Sequence, residues 1–200
     1  MGQYYHTYVI KENGKEHFLN RRVEGEDYVP AKLMEHSWVG NAWSEAVVDF
    51  FLRDNKKARV FWVGDYYAEQ AAEFHCSNGG KTFGVLISKY PKLKEACANK
   101  NTNILPAAKN QCNSGYLLNY DAKKFLDIKN YCKFSNSGGW ILHPLPLLTA
   151  CGNGLSSGDY SKDCINSSLV GCWAGDLISL VENKSDVPSN FEEFEVFFKE

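Results

Sequence analysis

Apolar positions along this chain switch between a period of two and a period near four, and the switches mark its elements. "YYHTYVIKENGKEHFLNRRV", from Tyr4 to Val23, holds two β-prone runs around Asn13-Gly14, a strong hairpin signal. A loop follows to Pro30, and "AKLMEHSW" after it suits either a short helix or a strand. "NAWSEAVVDFFLRDN" then sets Trp43, Val47, Phe50 and Phe51 at helical spacing behind Asn41, a good N-cap, with Asp54 and Asn55 at its end. "ARVFWVGD" is apolar without alternation, the pattern of a strand buried on both faces. Asp65 is placed to cap a helix in "YYAEQAAEFHC".

Further on, "SNGGKTFGVLI" reads as a turn and a strand, and "PKLKEACANK" as a short helix with Pro91 at its first position. Asn99 to Ser114 is polar and small, the composition of a surface loop. "GYLLNYDAKKFLDIKNYC" predicts a strand, a turn and an amphipathic segment. "WILHPLPLL" reads as an apolar strand broken by prolines, with a glycine-rich loop behind it. "LISLV" and "FEEFEVFFKE" predict closing strands, the second alternating Phe and Glu. Strands outnumber helices and do not alternate regularly with them. The expectation is an α+β fold, one domain over residues 1–200, with a mainly antiparallel or mixed sheet and a few helices packed on one face.

Composition sharpens this modestly. Hydrophobic residues make up 44% and charged residues 23%, which suits a globular chain. A formal charge of −2 makes nucleic acid an unexpected partner. No apolar run reaches the roughly 18 residues of a membrane span, so none is expected. The first residues lack the basic start and apolar stretch of a secretory signal, and His6 stands where a myristoylation motif needs Ser or Thr. Seven cysteines, an odd number with no CxxC pair, point to reduced thiols, a cytoplasmic setting and no zinc-finger-type metal site.

Three stretches repeat one pattern: "WVGN" at Trp38–Asn41, "WVGD" at Trp62–Asp65 and "WAGD" at Trp173–Asp176. A buried Trp, a glycine that turns the chain and an Asx residue that caps account for all three without function. In the functional alternative these ends converge at one edge of the sheet, with Asp65 as the acid of interest. The most unusual stretch is "CGNGLSSGDY". Its Gly152, Asn153, Gly154, Ser156, Ser157 and Gly158 offer successive backbone amides to an anion, although the spacing is neither that of a Walker A loop nor of a dinucleotide fingerprint. If His143, just before it, faces the loop, it forms an acid/base pair with Asp159 within it, and His36 beside Glu35 is a second histidine candidate. Nucleophile and metalloprotease motifs are missing, and no motif specifies a cofactor.

With the blocks "MGQYY", "KLMEHSW", "WVGDY" and "HPLPLLTACGNG…GDY", spread along most of its length, the chain resembles a family of bacterial and phage proteins without an established activity. The resemblance implies a cytoplasmic setting and an origin in a phage or mobile element; it transfers no residue role. The expected function is a binding protein for a phosphate-bearing, nucleotide-like small molecule or for a host protein. The alternative is a hydrolytic or nucleotide-modifying enzyme working through a His/Asp pair.

Overall fold

Asn13 and Gly14 turn the chain so that β1 (Tyr5–Lys11) and β2 (Glu16–Leu19) pair antiparallel, Thr7 opposite Leu19. Gly14 takes φ +80°, and the Asn13 side chain accepts from the Lys15 amide at 3.1 Å, so this hairpin is set by local chemistry. The computed structural model describes residues 3–19, 22–25, 32–66, 83–97, 104–134, 141–152 and 167–195.

Along these residues lie α1 (Leu33–Ser37), α2 (Ala42–Phe51), β3 (Ala58–Gly64), α3 (Phe83–Lys89), α4 (Leu93–Cys97), β4 (Tyr116–Asn119), β5 (Lys124–Asp127), α5 (Ile128–Phe134), α6 (Pro144–Leu148), β6 (Ala150–Cys151), β7 (Leu177–Val181) and β8 (Glu192–Glu193). One sheet of eight strands contains them in the order β2-β1-β3-β7-β4-β5-β8, with β6 branching from β3. Most pairings are antiparallel; β3–β6 and β5–β8 are parallel. The protein is therefore an α+β fold on a mixed sheet.

Strand β3 is its centre. β1 covers one of its edges from Tyr5↔Gly64 to Lys11↔Ala58. The other edge is shared: β7 takes Ala58 and Arg59, and β6 takes Trp62 and Val63. Both faces of β3 are buried, as its unbroken apolar run predicts. Val60 and Trp62 face Tyr5, Val9, Trp43, Val47 and the leucines of α6, the main core. Phe61 and Val63 join Tyr8 and pack against Leu86, Leu93 and Ala96 of α3 and α4, a smaller second layer.

Helix α2 is built as its sequence predicts. The Asn41 side chain accepts from the amides of Trp43 and Ser44 at 3.0 and 3.1 Å, satisfying two orphan donors of the first turn. Asp54 and Asn55, both near φ +57°, reverse the chain after it. The ambiguous "AKLMEHSW" becomes α1. Two stretches expected as strands are helical instead. Leu86 of α3 and Tyr90 just after it meet the second core while Val85 stays 54% exposed, so the apolar residues form a helical stripe. In α6, Pro144 and Pro146 occupy the first turn, where amide donors have no intrahelical partner, so the prolines start the element rather than break it. The closing Phe/Glu alternation yields only β8 among the described residues. The helix expected after Asp65 lies outside them.

Candidate functional site

The carboxyl half of β3 meets three of the four described residues singled out for chemistry, His36, Asp65 and Gly152; His143 lies apart, on α6. Trp62 Nε1–H donates to His36 Nδ1 at 2.9 Å, both groups being fully buried. Strands β3 and β6 then end side by side, Val63 beside Cys151, which sets Gly64 and Gly152 at adjacent strand ends. Asp65 follows immediately; its amide donates to Tyr4 O at 2.9 Å, and its Oδ1 accepts from Tyr4 N at 3.2 Å. Asn153, Gly154, Ser156, Ser157, Gly158 and Asp159 lie outside the described residues, so the glycine-rich motif enters only through Gly152.

The two glycines are needed for close approach. A Cβ on Gly64 would stand 2.5 Å from Gln3 Oε1, and one on Gly152 would stand 2.6 Å from the same atom and 2.8 Å from Tyr5 Oη. Gln3 and Tyr5 fill this gap, the Tyr5 hydroxyl donating to Gln3 Oε1 at 2.9 Å, both side chains buried. Gln3 has no motif around it. The available signal is its phase with Tyr5, Thr7 and Val9 along one face of β1.

His143 is the N-cap of α6: its Nδ1 accepts from the Leu145 amide at 3.2 Å. Its own amide donates to Ser37 O at 2.5 Å and Val39 N donates to Ile141 O at 2.9 Å, so α1 and α6 are laced together. The ring is buried, and burial pushes its pKa down to about 3. Its Nε2 is buried without a hydrogen-bond partner among the described residues. With Nδ1 accepting in both rings, His36 and His143 each carry their proton on Nε2 when neutral. For His143 the protonated form is strongly disfavoured, which suits a structural cap better than a base poised near neutrality.

The three Trp-Gly-Asx copies resolve into three devices. Asn41 caps α2. Asp65 bonds across to β1. Asp176 closes a turn, its amide donating to Trp173 O at 3.0 Å, with its Oδ2 accepting from Asn119 at 2.8 Å.

Charged side chains gather at the opposite end of β3. Arg53 donates to Asp49 Oδ1 at 2.7 Å, to Glu182 and to Gln111 O at 3.2 Å. Burial works against the Asp49 charge, but the Lys109 amide, Asn110 and Arg53 outweigh it and hold that carboxyl below its usual range. Cys112, against the same guanidinium, is pushed up to about 12 by burial, which favours the thiol over the thiolate. Arg59 bonds Asp121 at 2.6 Å and Gly175 O at 2.7 Å. Among the described residues no three His, Cys, Asp or Glu side chains converge in a metal-binding group, and no helix is long and apolar enough to cross a membrane.

No family model, curated protein or solved structure matches the chain, so the site is read from its own residues.

Proposed function

We propose that the chain is a binding protein for a phosphate-bearing small molecule, held beyond the carboxyl ends of β3 and β6. The observation that carries this reading is the parallel pair of strands ending together in Gly64 and Gly152. Ligands collect at such ends in sheets with parallel strands, because the loops leaving them diverge and backbone amides point outward. The sequence that runs on from Gly152 is the glycine- and serine-rich one expected to supply amides to an anion. Binding is preferred to catalysis because the histidine candidates have Nδ1 engaged, and His143 is buried as a cap. A cytoplasmic setting belongs to the same proposal, on the odd cysteine count without CxxC pairs.

A thermal-shift panel of inorganic phosphate, pyrophosphate, nucleotides and cyclic nucleotides tests the reading. A true ligand at about a hundredfold excess over its Kd stabilises the fold by roughly 2–3 kcal/mol. No response to any phosphate compound would reject it.

A further inference from the structure

We infer that α6 and β6 form an acid-released latch, held by the His143 ring and opened when that ring takes a second proton. The latch is independent of any ligand. Pro144 and Pro146 have no amide hydrogen, so Leu145 supplies the only amide donor among the first three residues of α6, and His143 Nδ1 accepts it at 3.2 Å. With Nδ1 accepting, the neutral ring carries its proton on Nε2, so the second proton enters at Nδ1. The atom that titrates is the atom that caps. Protonation turns this acceptor into a donor, sets two N–H groups against each other and places a cation on a residue that is 2% exposed.

Release of the cap reaches beyond α6. The His143 amide donates to Ser37 O, and Thr149 O accepts from the Trp62 amide at 3.0 Å, so the helix is fastened to α1 at one end and to β3 at the other. It is five residues long and runs directly into β6, whose register partners are Trp62 and Val63, and then to Gly152. His36 repeats the device on α1: its Nδ1 accepts from Trp62 Nε1, so a proton entering there also displaces a structural bond. The packed elements bring Glu35 and His36 from α1, Lys129 and Tyr131 from α5, Arg59 from β3 and Cys172 from the segment bonded to Leu147 and Leu148. None of them moves the titration of His143, which burial alone depresses.

Hydrogen exchange of the full chain, read by peptide at pH 7 and pH 4.5 and corrected for the intrinsic rate, tests the latch. Opening of residues 141–152 is expected to rise about a hundredfold, one proton taken up over roughly two pH units below the ordinary histidine value. Residues 116–127 of β4 and β5 are expected to hold. His143→Asn, which keeps an acceptor at the cap and does not titrate, is expected to abolish the rise. Absence of the rise in the wild-type chain overturns the inference. So does an equal rise in 116–127, which would mean that acid unfolds the whole molecule, or a rise that persists in His143→Asn. Should that variant fail to fold, the contrast between the two regions of the wild-type chain decides.

Discussion

The two ends of β3 solve the same problem in opposite ways. At Ala58 and Arg59 the strand is flanked by β1 and β7, and nearby polar groups are charged and consumed by one another: Arg53 by Asp49 and Glu182, Arg59 by Asp121. At Trp62 to Asp65 the pairs are mostly neutral: indole to imidazole, hydroxyl to amide oxygen. Here one neighbour is a two-residue strand, and glycines replace side chains. The first end is closed by electrostatics, both of its described guanidinium groups being paired. The second is closed by shape, Gly64 and Gly152 being buried against Gln3 and Tyr5, while Asp65 just beyond them is half-buried.

The largest effect should come from breaking the charged end. Arg53→Ala removes a residue that is 8% exposed, with its bonds to Asp49, Glu182 and Gln111 O, and leaves Asp49 only the Lys109 amide and Asn110; a loss of about 3 kcal/mol is expected in urea denaturation. An unchanged midpoint would show that the ion pairs contribute nothing net. Next, Gly64→Ala should cost about 2 kcal/mol, because its Cβ meets Gln3 Oε1. Combining it with Gln3→Ala should recover much of the loss. Failure of that rescue would mean that the added methyl is opposed by more than the Gln3 side chain, the neighbouring Tyr5 ring first of all.

The ends should also separate with pH. His143 has a folded pKa of about 3, well below the unfolded value near 6.5. The unfolded chain therefore binds an extra proton between those values, and this contribution is full above about pH 6.5 and lost as pH falls toward 3. The slope is expected to be about 1 kcal/mol per pH unit from this residue. His143→Asn, which keeps an N-cap acceptor, should flatten the stability profile between pH 6 and 4. The carboxyls of Asp49 and Asp121 are held low, so their contribution is present above the unfolded carboxylate range and disappears only at lower pH. A profile unchanged in His143→Asn would place the acid sensitivity in other groups, the half-buried His17 and the low carboxyls of Asp49 and Asp121 among them. The smallest effect belongs to Asn41→Ala, about 1 kcal/mol for two bonds to the first turn of α2, read by the same denaturation series.

What the sequence disclosed divides along a related line. The Asn13-Gly14 hairpin, the Asn41 cap and the doubly buried β3 are written in neighbouring residues, so pattern reading reaches them. α3 escaped because "FGVLIS" is an apolar run that fits a buried strand or a helix equally, and only contact with Tyr8 and Phe61 decides between them. α6 escapes because prolines in an apolar run also suit a broken strand, although His143 before Pro144 is the pattern of a capped helix start. The abutment of Gly64, Gly152 and Gln3 joins three segments with no shared local signal. His143 and His36 were noticed as candidates; that their Nδ1 atoms serve a backbone amide and an indole is a property of packing alone.

The forked edge of β3 has a consequence for how the molecule comes into being. Its register partners on that edge are Ala150 and Cys151 on one tine and Leu177 and Ile178 on the other, far along the chain from Ala58–Gly64. During synthesis the central strand can zip onto β1 early, yet the Ala58–Arg59 part of its other edge stays bare until β7, more than a hundred residues further on, has left the ribosome. Nascent chains halted before Leu177 should expose a hydrophobic ribbon that recruits chaperones or its own copies.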